Sequence, residues 1–276
     1  MGKFLTTLII VFTIISFSFG QKTEKILEEG KLLYRLEKAS WNGTDFFLEK
    51  FSHKINDVGG YLSYLDENNQ LINIFFKRDN PLHILVRFEF ENLHQKNPIR
   101  IDTLNHIATQ QEADLIAIRQ DANEKISENK DAFFSFYDNT SLNLIPLIHK
   151  GEKRVFILTG PKVSNVVIIG NDYLLTYNNK NKLVKKEKLH NSLLQFLYKS
   201  DDPENKMEST VHSHILSSYI TSTDICTLLL YKDYVEWNQH YVISKKYVSI
   251  FDLEKENLVV ITRKAWDKIN EAQRNK

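Results

Sequence analysis

Apolar and polar positions recur along this chain with two periods. Residues 22 to 40 are rich in charge, yet Ile26, Leu27, Leu32, Leu33 and Leu36 fall at roughly helical spacing, which predicts an amphipathic helix. From Asp57 the period shortens. "GGYLSYLDENNQLINIFFKRDNPLHILVRFEFEN" alternates apolar and polar residues around two turn signals, Glu67-Asn68-Asn69 and Asp79-Asn80-Pro81. The pattern predicts a β-meander of three strands over 60–65, 70–77 and 82–91. Thr109-Gln110-Gln111-Glu112 then has the form of a capping box, and Leu115, Ile118, Ala122 and Ile126 carry a helix to about Lys130.

Residues 136 to 150 read as a connector, and a domain boundary is expected near residue 135. Beyond it, "RVFILTG" and "NVVIIGND" are short apolar strands closed by Gly160-Pro161 and Gly170-Asn171-Asp172. "YLLTYNNKNKLVKKEKL" is a hairpin. "HNSLLQFLYKS" fits a short helix or an irregular segment. "ESTVHSHI" predicts a strand, "TSTDICTLLLYKDYVEW" a helix, "HYVISKKYVSIFDLEKENLVVIT" two or three strands, and "RKAWDKINEAQRN" a closing helix. The fold class is α+β: an N-terminal helix, a meander and a helix, then a mixed or mostly antiparallel sheet flanked by helices.

The first twenty residues stand apart. Lys3 precedes "FLTTLIIVFTIISFSF", an uncharged apolar run, and Ser16, Ser18 and Gly20 bring small residues near its end. This is the pattern of a secretory signal peptide cleaved near Gly20. The run is shorter than the roughly 20 residues a spanning helix prefers, so no stable membrane insertion is expected after cleavage. The expected organisation is 1–20 as leader, 21–135 as an α+β domain of unassigned role, and 136–276 as the second domain. The expected location is periplasmic or secreted.

Composition adds exclusions. With 42% hydrophobic and 26% charged residues the chain can bury a sizeable core. A net charge of +1 argues against nucleic acid as a partner. The basic run Lys180 to Lys188 reads as a solvated turn and strand edge. Cys226 is the only cysteine, so no intramolecular disulfide forms, and its place on a helix suits a buried packing residue. The chain has no Gly-rich phosphate loop, no Gly-x-Ser-x-Gly elbow and no His-Glu-x-x-His.

The candidate chemistry lies in "STVHSHILSSYITSTDIC", residues 209 to 226. On a strand, His212 and His214 point to one side, a spacing that a single Zn²⁺ bridges. Thr221 opens the following helix, and Asp224 falls in its first turn. Two imidazoles, one carboxylate and an open position make the donor set of a catalytic zinc, whose water is acidic enough to act at neutral pH. A His-x-His pair arises by chance about 0.3 times in a chain with this histidine content, so the pair alone carries little. Thr221 and Asp224 also fit a plain helix cap. His190 is either a further ligand or substrate contact, or an exposed residue near a hairpin. Trp237 with Tyr234 reads as helix packing, and Asn171 with Asp172 as a turn.

"HSH", then "TSTD" opening a helix, then the strands "HYVIS" and "KKYVSIF" resemble the JAB/MPN fold with its JAMM metal motif. The resemblance covers roughly residues 145 to 262. It implies a zinc-dependent peptidase or isopeptidase acting on a peptide or protein substrate, with His212, His214 and Asp224 as metal ligands. It places Thr221 where the family has an oxyanion-stabilising serine; Ser213 is a second candidate donor. "GEKRVFILTG" is similar to the family's glutamate strand and implies Glu152 as general acid/base. The chain departs from the motif at Ile215, where proline is usual, in a six-residue gap where seven is usual, and in Thr221 for serine. A metal-free JAB-like domain that only holds partners is the other reading. Phe75, Phe88 and Phe90 of the meander would then form an exposed partner surface.

Overall fold

A computed structural model of the chain describes residues 2–274 except 94, 201–203 and 205, with side chains described from residue 20 onward. The side chains of the expected leader therefore lie outside the described residues. Among the described residues, no helix is long and apolar enough to cross a membrane.

Among the described residues the fold is α+β, with four α-helices and several sheets, as the sequence pattern implies. It begins with helix α1 (Gly2–Phe51), followed by the strands β1 (Val58–Leu65), β2 (Leu71–Lys77) and β3 (His83–Phe90). These are the three strands of the meander, antiparallel in the order β1-β2-β3. The short strands β4 (Arg100–Asp102) and β5 (His106–Ile107) both pair with β3.

Helix α2 (Gln110–Glu128) starts at the expected capping box. The Thr109 hydroxyl accepts from the Glu112 amide at 3.2 Å, and the Glu112 carboxylate accepts from the Thr109 amide at 2.8 Å. Next come β6 (Thr140–His149), β7 (Glu152–Pro161), β8 (Val166–Gly170), β9 (Tyr173–Tyr177) and β10 (Leu183–Lys188). The chain continues through β11 (Leu193–Leu197), β12 (Ser209–Ser213), α3 (Ser222–Tyr231), β13 (Gln239–Ile243), β14 (Tyr247–Asp252), β15 (Asn257–Thr262) and α4 (Arg263–Arg274).

Two compact units result. One holds residues 33–195; the other holds residues 1–32 and 196–276. The boundary expected near residue 135 falls inside the first of these. The reason is a shared core. Leu62, Ile74 and Ile84 from the meander, Leu115, Ile118 and Ala122 from α2, and Val155, Ile157 and Leu175 from β7 and β9 are buried in one cluster. Helix α2 thus packs against both sheets. The connector expected over 136–150 is mostly strand β6. Pro146, and the polar run Asp138 to Ser141 that leads into the strand, weaken its strand signal. Proline is tolerated there because β6 is the edge of the sheet ordered β10-β9-β7-β6. β10, at the opposite edge, carries the basic run.

Three further expectations change. β11 is a strand where the sequence fits a short helix or irregular segment. α3 stops at Tyr231, short of Trp237, which is fully buried beyond it with Nε1 donating to the Leu197 carbonyl at 3.1 Å. Phe75, Phe88 and Phe90 are buried, not exposed. Phe47 of α1 stacks on Phe75 with ring centroids 4.2 Å apart, and Phe46 meets Phe88 edge-on at 5.4 Å. α1 therefore covers this face of the meander and α2 the other. This is why six consecutive residues of β2, Leu71 to Phe76, are buried despite the period-two pattern.

The unit that carries the histidine motif is a four-stranded sheet, β12-β13-β14-β15, with β12 parallel to β13 and the rest antiparallel. α3 is the crossover between the parallel pair. Nine consecutive residues of α3, Ser222 to Leu230, are buried. Cys226 is among them and is fully buried, in keeping with a packing role. Gly30 of α1 lets the two helices meet: a Cβ there would lie 2.6 Å from the Ile225 side chain. Beside it, the Ser222 hydroxyl donates to Glu29 Oε2 at 2.9 Å.

Candidate metal centre

β12 alternates, and its alternation sets the site. Thr210 and His212 are buried on one face, while Ser209, Val211 and Ser213 are exposed on the other. His214 follows the last residue of the strand and is also buried; its amide still donates to the Ile243 carbonyl of β13 at 2.9 Å. The two imidazoles share a side, with ring centroids 4.6 Å apart. Ser213, between them, points to the exposed face.

α3 brings the carboxylate. Thr221 is its N-cap and Asp224 its third residue, and the two form a reciprocal capping box. Thr221 Oγ1 accepts from the Asp224 amide at 3.1 Å, and Asp224 Oδ2 accepts from the Thr221 amide at 2.8 Å. The Thr221 hydroxyl also bonds Thr223 Oγ1 at 3.0 Å. The same carboxylate that caps the helix lies 3.3 Å from His214 Nε2.

That contact determines what the site can hold. His214 Nδ1 is 2.8 Å from the Tyr219 carbonyl and 2.8 Å from Ser217 Oγ. A carbonyl only accepts, so the Tyr219 contact puts a proton on Nδ1. In the neutral ring, Nε2 is then a lone-pair acceptor, and it faces another acceptor, Asp224 Oδ2. Two acceptors stand at this distance when positive charge lies between them: a second proton on the ring, or a metal ion. The separation suits an ion. A tetrahedron with ligands about 2.05 Å from its centre has edges of about 3.3 Å. Asp224, His212 and His214 offer ligand atoms that all lie within 4.8 Å of one another, so this buried group could hold a metal ion.

A second row of side chains backs His212. Its Nδ1 lies 2.7 Å from His240 Nε2, and His240 Nδ1 lies 2.7 Å from Thr210 Oγ1. His240 is on β13, directly opposite Thr210 in the parallel register, and is fully buried. Burial, with His212 next to it, pushes its pKa down to about 3, so it is neutral at physiological pH. Neither His240 nor Thr210 is marked in the sequence. The only signal is the alternation of "HYVI", and alternation does not reveal that β13 pairs in parallel with β12.

The remaining candidates take other places. Glu152 opens β7, opposite His149. Its side chain is 68% exposed, with one carboxylate oxygen 3.4 Å from Arg154 Nε. His190 is buried rather than exposed, with Nδ1 3.4 Å from Asp172 Oδ2. Asp172 Oδ1 accepts from the Thr159 amide at 2.9 Å, and Asn171 Nδ2 donates to the Ser135 carbonyl at 3.1 Å. These contacts tie the turn between β8 and β9 to its surroundings. Tyr234 is half exposed, apart from the buried packing of Trp237. Comparison with known protein families, curated proteins and solved structures finds no match to this chain.

Proposed function

We propose that this chain is an exported zinc protein in which His212, His214 and Asp224 hold the ion, and that it hydrolyses an amide bond in a peptide or protein. The observation that carries the metal reading is the 3.3 Å approach of His214 Nε2 to Asp224 Oδ2, with His214 Nδ1 already committed to the Tyr219 carbonyl. Zinc is favoured over magnesium or calcium because imidazole nitrogens dominate the donor set. Amide hydrolysis is supported by the resemblance of "HSH" and "TSTD" to the JAMM motif, and export by the leader pattern of residues 1–20. A zinc ion in such a site supplies Lewis acidity and lowers the pKa of water.

The chain's own residues have definable parts in this reading. His214 is oriented through Nδ1 by Tyr219 and Ser217. Asp224 is oriented by the Thr221 amide, which donates to Oδ2, the oxygen that also faces His214 Nε2. The Thr221 hydroxyl is engaged in the cap, so its part is to fix Asp224. Glu152, the acid/base residue in the resemblance, is exposed beside Arg154.

That exposure favours a second reading, a zinc-bearing domain that binds partners without turnover. Elemental analysis of purified chain, followed by hydrolysis of a general peptide library, separates the two. Stoichiometric zinc that disappears in His212→Ala, with hydrolysis that disappears alongside it, supports the hydrolase. Zinc without hydrolysis, and with no effect of Glu152→Gln, supports the binding domain. Absence of zinc from the intact chain, even after incubation with zinc salts, overturns both.

A further inference from the structure

We propose that His240 is a positioning residue for the metal site, and that Thr210, His240 and His212 form a hydrogen-bonded chain whose polarity is set when His212 takes a metal ion. The inference rests on the reading that His212 is a ligand.

The parallel register of β12 and β13 brings three polar side chains together. Thr210 and His212 occupy one face of β12, and His240 stands opposite Thr210 on β13. The His240 ring therefore sits beside both, and each of its nitrogens has one partner: Thr210 Oγ1 at 2.7 Å and His212 Nδ1 at 2.7 Å. Aromatic rings hold it in place. Phe196 meets it edge-on at 5.5 Å, and Trp237 lies at 6.0 Å.

With both rings neutral, only two directions satisfy this chain. In one, the Thr210 hydroxyl donates to His240 Nδ1 and His240 Nε2–H donates to His212 Nδ1. His212 then carries its proton on Nε2 and cannot ligate through that atom. In the other, His212 Nδ1–H donates to His240 Nε2 and His240 Nδ1–H donates to Thr210 Oγ1. His212 Nε2 then carries the ring's lone pair and can act as a ligand atom. A ligand imidazole usually donates its second N–H to an oxygen acceptor, and that partner fixes its tautomer and ring orientation. Here the acceptor is a second imidazole, itself fixed by a threonine hydroxyl. Metal binding at His212 Nε2 selects the second direction: the Nε2 proton leaves to solvent, His212 Nδ1 takes the proton of His240 Nε2, His240 Nδ1 takes that of Thr210, and the threonine hydroxyl regains a proton from solvent, so both rings change tautomer without a change in proton count.

The test uses the full chain labelled with ¹⁵N-histidine, and zinc as the ligand. Long-range proton–nitrogen spectra assign each ring's tautomer with and without the ion. Zinc-bound protein is expected to show Nδ1–H tautomers at both His212 and His240; an Nε2–H tautomer at His240 in the zinc-bound protein overturns the proposal. Affinity is measured by competition with a chromophoric chelator. His240→Ala is expected to bind zinc about 10- to 100-fold more weakly, in the range typical of lost outer partners. His240→Gln, which can present an amide oxygen near the position of Nε2, is expected to recover most of that loss. Thr210→Val is expected to weaken binding by about tenfold in the native background and to have little effect on top of His240→Ala. If His240→Ala fails to fold, Thr210→Val and the tautomers of the native chain still decide the matter. Native zinc affinity retained in both His240→Ala and Thr210→Val refutes the positioning role while leaving the metal reading intact. No zinc binding by the native chain removes the metal reading and this inference with it.

Discussion

Single side chains in this protein serve two masters, and Asp224 is the clearest case. Its carboxylate caps α3 and also faces His214. The two roles separate by substitution. Asp224→Ala loses both, leaving the Thr221 amide short of its acceptor at a cost of about 1–3 kcal/mol. Asp224→Asn keeps an oxygen for the cap but loses the negative charge. It is expected to retain most of the apo stability in denaturant titration while binding zinc far more weakly. Glu37 makes a different point. It is buried on α1, accepts from Trp41 Nε1 at 3.1 Å, and burial raises its pKa from 4.5 to about 7. The unfolded chain gives up this proton near pH 4.5, the folded chain only near pH 7. Between those values the folded state holds more protons, so stability falls as pH rises. Glu37→Gln is expected to flatten that fall and to stabilise the protein at pH 8 by up to about 3 kcal/mol, read from urea unfolding at pH 5 and pH 8.

At the scale of elements, the candidate metal centre is the product of one crossover. β12 delivers two imidazoles, the helix that leaves it delivers a carboxylate, and the strand that returns in parallel delivers the backing histidine. α3 holds its place partly through Gly30 of α1, where a methyl group would meet Ile225 at 2.6 Å and the Ser222 carbonyl at 3.0 Å. Gly30→Ala is expected to push the helices apart and to cost about 1–3 kcal/mol in chemical denaturation, despite alanine's better helix propensity. A stabilised variant would show that this contact yields without strain. The helices and strands themselves were largely legible. The capping boxes at Thr109 and Thr221 both form, because a hydroxyl three residues before a carboxylate satisfies two helix-end amides locally. β6 was not legible, because Pro146 and the polar run Asp138 to Ser141 before it carry a turn signal that only an edge position overrides. The end of α3 was not legible either, since Asp233, Tyr234 and Trp237 keep a helical rhythm past Tyr231, where the helix ends.

Across the whole molecule, a bound ion contributes to stability by mass action. At free zinc about 1,000 times the dissociation constant, binding confined to the folded state adds about 4 kcal/mol. Adding a strong chelator is therefore expected to lower the thermal midpoint by roughly 10 °C, and added zinc to restore it. A midpoint indifferent to both would argue against a metal that folding depends on. The division into units is also a property of this scale. The helix α2 was readable residue by residue, but its two faces were not. Only packing reveals that both are covered, one by the meander and one by β7 and β9, and that residues 33–195 share a core across the boundary expected near 135.

The sequence by itself determined the α+β class, the meander, both capping boxes and the trio His212, His214 and Asp224, because each depends on residues within a few positions of one another. The tertiary structure alone decided the burial of Phe75, Phe88 and Phe90, the environments of His190 and Glu152, and the hydrogen bond between His212 and His240, in whichever direction it runs. Those depend on which distant strand or helix comes to lie alongside. No local period encodes that choice, because parallel pairing and two-sided burial are settled only when the whole core closes.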